Sequence, residues 1–181
     1  DFKMEKYQVQ RRVEQMEAEG VKFVTNAHIG VEISGKKLVE EYAAVLLATG
    51  SEKPRDLPVA GRELKGIHFA MEFLSQQNRR VSGLPIDPAK NITAAGRHVI
   101  IIGGGDTGAD CLGTSHRQNA KSVHQFELLP EPPKERGEPG TQPWPLWPFT
   151  LKTENSHEEG GIRDWAVSTK QFLGDKNGNV K

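Results

Sequence analysis

Cysteine is almost absent from this sequence, since Cys111 is the only one among 181 residues. A single thiol cannot form a disulfide within the chain, and it cannot supply the ligand set of a structural zinc site or an iron–sulfur cluster. The six histidines show no metal-ligand spacing either. We therefore expect no metal centre in this chain.

An excess of one charge and a long apolar run are also missing. Lysine plus arginine number 24, as do aspartate plus glutamate, and the formal net charge is +0, so no long-range field attracts nucleic acid or an anionic membrane. No stretch reaches the roughly 18–20 apolar residues of a membrane helix, and no signal peptide opens the chain. We expect no nucleic-acid or membrane partner and a cytoplasmic location.

The first half of the chain shows helix and strand patterns in alternation. Val9, Val13 and Met16 share one face of a predicted helix over residues 5–19 that ends at Gly20. Residues 21–25 and 29–33 have strand patterns, and 34–36 resemble a turn. The continuous apolar run 43–48, ending at Thr49-Gly50, is typical of a strand buried on both faces of a parallel sheet. A further helix is predicted over residues 69–77.

The clearest unit follows in the second half. Residues 98–102 form an apolar strand, 103–105 a glycine turn, 106–117 a helix and 122–129 a second strand. Such a strand–helix–strand unit crosses over into a parallel sheet. The predicted fold class is α/β, a Rossmann-like parallel sheet with flanking helices, plus a small β element.

The turn of this unit fits the dinucleotide-binding pattern G-x-G-x-x-G. Gly103 would permit the sharp exit from the strand, Gly105 would let the backbone approach a pyrophosphate, and Gly108 would let the helix pack closely. Asp106 is expected to cap the helix and Thr107 to reach a phosphate. The alternative is a unit whose glycines serve only the turn, as in a methyltransferase. The candidate residues are Gly103, Gly104, Gly105, Asp106, Thr107 and Gly108.

An acidic residue follows this motif at a suitable distance. Glu127 lies near the end of the second predicted strand, where a carboxylate binds adenosine ribose hydroxyls and disfavours a 2′-phosphate. Lys134 and Arg136 follow shortly after and would neutralise a 2′-phosphate. The choice between NADH and NADPH therefore stays open, as does the alternative that Glu127 is an exposed strand-end residue.

The two signatures together resemble a known family. The A-T-G turn at Thr49-Gly50, some fifty residues before the glycine motif, resembles the flavoprotein reductases that carry two dinucleotide domains, of the pyridine nucleotide-disulfide oxidoreductase type. Within these, the chain looks like the small (beta) subunits of glutamate synthases. The segments that carry this closer likeness are 1–4, 11–14, 20–23, 103–111, 126–130, 144–148 and 169–172.

The resemblance implies an electron-transfer function. In that family the beta subunit passes hydride from NAD(P)H to FAD. Electrons continue through iron–sulfur clusters to FMN on the large (alpha) subunit, where glutamine and 2-oxoglutarate yield glutamate. Carried over, Gly103–Gly108 would hold the pyrophosphate, Glu127 the ribose, and Thr49 and Gly50 would lie beside FAD. Residues 1–66 would be flavin-domain-like and residues 67–181 the NAD(P)H-binding domain.

The chain also departs from that family. It lacks a second glycine-rich fingerprint for FAD and a cysteine-rich cluster segment, and residue 108 is glycine where relatives often carry alanine. Because it also begins at Asp1, we expect a piece of a longer protein, inactive by itself. The alternatives are a related reductase linked to ferredoxin or pyrimidines, and a non-catalytic nucleotide-binding module. Whether the protein forms a homodimer also stays open.

The remaining chemically notable residues have structural interpretations. Cys111 is expected to be a small buried apolar residue. His157 is expected to lie in a solvated loop, and the alternative is a site formed by His157, Glu158 and Glu159. Trp144, Trp147 and Phe149, set among prolines, are expected to fill the domain's own core, since large aromatics usually bury themselves. The alternative is a lid over the nicotinamide.

Overall fold

The computed structural model describes residues 4–51, 53–138 and 143–181. By its internal contacts the chain divides into two compact units, Asp1–Glu52 and Lys53–Lys181. The sequence-based division at residue 66, with its flavin and nucleotide roles, stays a prediction. Among the described residues, no helix has the length and apolar character required to cross a membrane.

The first unit contains two helices, α1 at Lys6–Ala18 and α2 at Gly35–Glu41. The prediction of α1 is confirmed. It ends at Gly20, whose φ of +94° lets the Val21 N–H reach the Met16 carbonyl at 2.9 Å, the bond that closes a Schellman motif. Helix α2 begins after Ser34, so the predicted turn at 34–36 is instead a helix start.

The three strands predicted in this unit are wrong. Residues 21–25 and 43–48 have no regular structure, and residues 29–33 form a turn with one isolated bridge between Ile29 and Ile33. A strand needs a neighbour for its backbone groups, and the described residues provide none for 43–48. Leu46 and Leu47 are consequently 90% and 80% exposed.

The second unit is built on a parallel sheet of three strands. They are β1 (His98–Ile102), β2 (Ser122–Phe126) and β3 (Ile162–Asp164), in the order β1-β2-β3. Strand β1 pairs with β2 in parallel, with Ile100 opposite His124, and β2 pairs with β3 in parallel. Helix α4 (Asp106–Arg117) joins β1 to β2. The α/β fold class is confirmed, and β1 and α4 have the predicted bounds.

The core lies on one face of this sheet. Ile101 and Val123 point toward α4, where Cys111 and Leu112 are buried, and Phe73 of α3 (Ala70–Val81) completes the cluster. Helix α3 is the helix predicted at 69–77, extended by four residues. On the opposite face, Ile100 and Ile102 are 63% and 48% exposed. The described part of the sheet is therefore packed on a single side.

Two further segments close the unit. Helix α5 (Asn155–Glu158) packs against α4, and a side chain at Gly113 would meet the Ser156 hydroxyl at 2.7 Å. Glycine at this position thus permits the close approach of α5. Residues 60–65 form isolated parallel bridges with residues 171–179, including a Phe172 N–H bond to the Ala60 carbonyl of 2.8 Å.

Candidate functional site

The glycine turn lies at the carboxyl end of β1, between that strand and α4. Gly103 has a φ of +123°, a conformation that favours glycine, and its N–H donates to the Phe126 carbonyl at 2.8 Å. Gly105 is the N-cap of α4, without a side-chain capping bond. The prediction that Asp106 caps the helix is therefore wrong. Asp106 lies within the first turn, where its charge complements the helix dipole.

The other three glycines of the motif differ in what surrounds them. A side chain at Gly105 would meet nothing within 4 Å, whereas one at Gly104 would collide with the Glu127 carboxylate. At Gly108 it would collide with the Gly103 carbonyl and the Gln125 amide. The turn is therefore closed toward β2 and open beside Gly105.

Glu127 holds the turn from the adjacent strand end. Its Oε2 accepts a hydrogen bond from the Gly104 N–H at 2.7 Å, and its Oε1 accepts one from the Leu129 N–H at 3.1 Å. The residue is half-buried, so the interpretation as an exposed strand-end glutamate is wrong. A carboxylate has about four acceptor positions, and the Gly104 and Leu129 N–H groups use two of them.

The open side of the turn lies at the start of α4. The first N–H groups of a helix have no intrahelical partner and carry the positive end of its dipole. At α4 these groups follow Gly105, and Thr107 is exposed in the same first turn. The predicted motif residues 103–108 and Glu127 are thus brought together at one edge of the sheet.

The remaining predicted site residues belong to two exposed segments. Arg136 and Lys134 are exposed in the segment after β2, where the Pro133 carbonyl accepts a hydrogen bond from the Leu151 N–H. Thr49 and Gly50 belong to the first unit and are exposed, and Gly50 has a φ of +69°. Their predicted positions beside FAD stay predictions.

Of two further residues next to the turn, Gln125 was missed as a functional candidate, and His157 was considered only as an alternative to a solvated loop. Gln125 is only 2% exposed, and its Nε2 donates to the Gly103 carbonyl at 2.9 Å. Its Oε1 lies 3.0 Å from His157 Nε2. His157 belongs to α5 and is half-buried, so the prediction of a solvated loop is wrong. A glutamine at a core-facing position, two residues after buried Val123, was the available signal.

The prediction for the three aromatic residues is wrong, and the prediction for the cysteine is confirmed. Trp144, Trp147 and Phe149 are 91%, 76% and 59% exposed, so the prediction that they fill the core is wrong. Residues 143–150 around them form no helix or strand that would pack them, and the lid alternative stays a prediction. The prediction for Cys111 is confirmed: it is 6% exposed, and burial, with the Asp110 charge, raises its pKa to about 12.

The described residues contain no group of three or more histidine, cysteine or acidic side chains arranged to hold a metal ion. The groups that the turn brings together are backbone N–H donors, the Glu127 carboxylate and the start of α4, which provide hydrogen bonding and electrostatics.

Comparison with known proteins agrees with this geometry. Residues 3–139 match the model of the family described as pyridine nucleotide-disulphide oxidoreductase. The chain is 50% identical to the "Glutamate synthase [NADPH] small chain" of Mycobacterium tuberculosis over 177 residues, which are 96% of this chain and 36% of that protein. The family resemblance inferred from the motifs is confirmed.

Two other relatives extend the comparison. The chain is 41% identical over 187 residues to the "Glutamate synthase [NADPH] small chain" of Bacillus subtilis, covering 100% of this chain and 38% of that protein. It is 43% identical over 189 residues to the "Glutamate synthase [NADH]" of Schizosaccharomyces pombe, covering 100% of this chain and 9% of that protein. The chain thus spans little more than a third of the bacterial relatives.

Proposed function

Because the chain belongs to the pyridine nucleotide-disulphide oxidoreductase family, we propose that its glycine turn binds the pyrophosphate of NADH or NADPH. Membership of this family implies pyridine nucleotide and FAD binding. The observation that supports this assignment is the open space beside Gly105, set between the start of α4 and the Glu127 carboxylate. Here the phosphates would accept hydrogen bonds from the N–H groups of Gly105 and of the first helical residues, since the Gly103 and Gly104 N–H groups are bonded to Phe126 and Glu127.

Each residue of the turn has a separate task in this proposal. Gly105 leaves room for the phosphates, Thr107 offers a hydroxyl to them, and Glu127 accepts hydrogen bonds from the adenosine ribose. Gly104 is kept free of a side chain by the approach of Glu127. The nucleotide, when bound, supplies a hydride from its nicotinamide, while the protein supplies position and electrostatics.

For the whole protein we propose the activity of a glutamate synthase, the name that its relatives bear. Following the family resemblance, hydride would pass from NAD(P)H to FAD, and electrons would go on to a large (alpha) subunit for the synthesis of glutamate from glutamine and 2-oxoglutarate. Thr49 and Gly50 are the proposed neighbours of FAD. Iron–sulfur clusters on this route would require ligands other than Cys111, which is buried behind the turn.

The nucleotide choice depends on Glu127. A carboxylate at this position repels a 2′-phosphate, which favours NADH, whereas Arg136 and Lys134 would favour NADPH. The relatives carry both names. We propose NADH as the preferred nucleotide, because Glu127 is bonded to the turn itself and the two basic residues are exposed in the segment beyond it.

Titration of the full-length protein with NADH and NADPH, by calorimetry or fluorescence, tests both claims. We expect NADH to bind more tightly, and Glu127→Gln to reduce that preference by about tenfold, which corresponds to about 1.4 kcal/mol. Glu63→Gln removes an exposed carboxylate of the same unit and is the matched control. Absence of binding of either nucleotide at millimolar concentration contradicts the proposed site.

The proposed activity has its own test. With the large subunit added, the full-length protein should couple NAD(P)H oxidation to glutamate formation from glutamine and 2-oxoglutarate. Oxidation that proceeds only with a ferredoxin or pyrimidine acceptor would instead assign the chain to a related reductase. A yellow preparation of residues 1–181 alone would contradict the expectation that the flavin site is incomplete in this segment.

A further inference from the structure

A chain of three hydrogen bonds joins α5 to the first glycine of the turn. The Gln125 side chain is almost fully buried, at 2% exposure, and its Nε2 donates to the Gly103 carbonyl. Burial of an amide is costly unless both of its ends are bonded. The second end, Oε1, is bonded to His157 Nε2 at 3.0 Å, so His157 satisfies the amide that holds the turn.

The protonation state of His157 follows from its other partner. Nδ1 accepts a hydrogen bond from the Glu154 backbone N–H at 2.9 Å. A backbone N–H only donates, so Nδ1 carries no proton and the single ring proton is on Nε2. That proton is donated to Gln125 Oε1, which in turn directs the NH₂ group of the amide toward Gly103. The orientation of every link is therefore set by a neutral His157.

This series of hydrogen bonds ends at Gly103, whose backbone groups are both bonded. Gly103 has the left-handed φ of +123°, with its N–H bonded to Phe126 and its carbonyl to Gln125. Both of its backbone polar groups are thus held by β2. Gly108 lies against the same carbonyl and the same amide, so a shift of Gln125 would disturb the turn and the start of α4 together.

We propose that His157, acting through Gln125, is a positioning residue for the glycine turn, and that its protonation weakens nucleotide binding. This inference rests on the nucleotide site proposed above. Protonation of Nδ1 would place a second N–H donor against the Glu154 N–H. The hydrogen bond between Glu154 and His157 would then break. In this proposal His157 does not contact the nucleotide and acts through the hydrogen bond to Gln125.

The surroundings of His157 keep it neutral near pH 7. Its partial burial lowers its pKa below the usual 6.5, and the Arg163 guanidinium lowers it further, while the Glu154 carboxylate opposes them. On α4, which packs on α5, Arg117 pairs with Glu159 at 2.5 Å and His116 lies against Gly160 and Gly161.

The sign of the pH effect follows from this lowered pKa. A histidine whose pKa is lower in the folded state stabilises the fold fully above its unfolded value of 6.5, and that contribution is lost as the pH falls toward the folded value. In the folded chain His157 is neutral above about pH 6.5, so it should not change nucleotide affinity there. The affinity should fall in acid as His157 takes up a proton.

The test measures binding of NAD⁺ and NADP⁺, which withstand acid, to the full-length protein between pH 8 and pH 5. Because the 2′-phosphate of NADP⁺ titrates at about pH 6, its affinities are compared between wild type and variant at each pH. His157→Gln can donate to Gln125 without titrating, and His157→Ala removes the link. His124→Gln, on the neighbouring residue of β2 and on the opposite sheet face, is the matched control. We expect the wild type to lose affinity in acid, and His157→Gln to lose the acid-dependent part.

His157→Ala should bind about threefold to tenfold more weakly at pH 7, while His124→Gln should behave as wild type. Hydrogen–deuterium exchange with mass spectrometry gives a second readout: the peptide covering residues 98–110 should exchange faster in His157→Ala but not in His157→Gln. This measurement needs no nucleotide.

The outcomes separate the two proposals. If wild type binds neither nucleotide, the proposed function fails, and the exchange rates alone decide whether His157 holds the turn. If wild type binds and His157→Gln keeps the same acid dependence, the positioning role is overturned. Unchanged exchange and affinity in His157→Ala would overturn it equally.

Discussion

The two units of this chain have similar apolar patterns but reach different degrees of burial. Of residues 4–51 none is buried, although this stretch contains the apolar run 43–48. The second unit buries Leu112, Ala109 and Val123 at 2% exposure or less. The difference shows that an apolar strand pattern becomes a core only where the chain supplies pairing strands and a covering helix. In the second unit β2 and α4 do so for β1.

The largest expected difference between the two units is in the alkylation rate of a thiol placed in each. Cys111 is buried with a pKa of about 12, whereas Leu47 is 80% exposed. In the variant Leu47→Cys, the introduced thiol should react with iodoacetamide at pH 8 on the order of a thousandfold faster than Cys111, because alkylation requires an accessible thiolate. Peptide mass spectrometry measures both rates in one sample.

Unfolding in urea is the control for this comparison, since both thiols should then react at similar rates. Similar rates in the native chain would show that Cys111 is accessible or that residue 47 is protected, and either result would break the contrast.

The second effect compares two leucines by their contribution to stability. Leu112 is 0% exposed between the sheet and α3, so Leu112→Ala should lower the free energy of unfolding by about 3 kcal/mol through lost burial and a cavity. Leu46 is 90% exposed, and Leu46→Ala should change it by less than about 0.5 kcal/mol. Urea titration of the 181-residue chain measures both. A comparable loss at Leu46 would indicate packing of residues 43–51.

The smallest effect compares two glycines at helix starts: Gly105 is the N-cap of α4, and Gly35 is the first residue of α2. A side chain at Gly105 or at Gly35 would meet nothing within 4 Å, and neither residue has a left-handed φ. Because leucine is a poor N-cap residue but a good helix former, Gly105→Leu should lower the unfolding free energy by about 1 kcal/mol, and Gly35→Leu should leave it unchanged or slightly raise it. Only Gly105→Leu should weaken NAD⁺ binding, by about tenfold or more. Equal affinity of the two variants would remove the turn from the proposed site.

The part of the fold that could be predicted from sequence is the part set by local pattern. Helices α1 and α4 end in motifs that nearby residues complete, Gly20 in one case and Asn119, with a φ of +59°, in the other. Strand β1 follows directly from five apolar residues before a glycine turn. The G-x-G-x-x-G spacing and Glu127 identified the candidate site for the same reason.

The rest depended on partners that are distant in sequence. Residues 43–48 required pairing strands that the described chain does not provide. Strand β2 was predicted to reach residue 129 but ends at Phe126, since the Leu129 N–H bonds the Glu127 side chain instead of a neighbouring strand. Helix α5 and strand β3 have four and three residues, too few for a periodic pattern, and the His157–Gln125 bond spans 32 residues.

The bond between Glu127 and the Gly104 N–H has a consequence for the thermodynamics of binding. The turn is already shaped by its own carboxylate, so the conformational entropy of ordering it is lost during folding and not when a ligand arrives. A ligand then meets a rigid surface. We expect its association rate to be set by diffusion and orientation, without a slow ordering step.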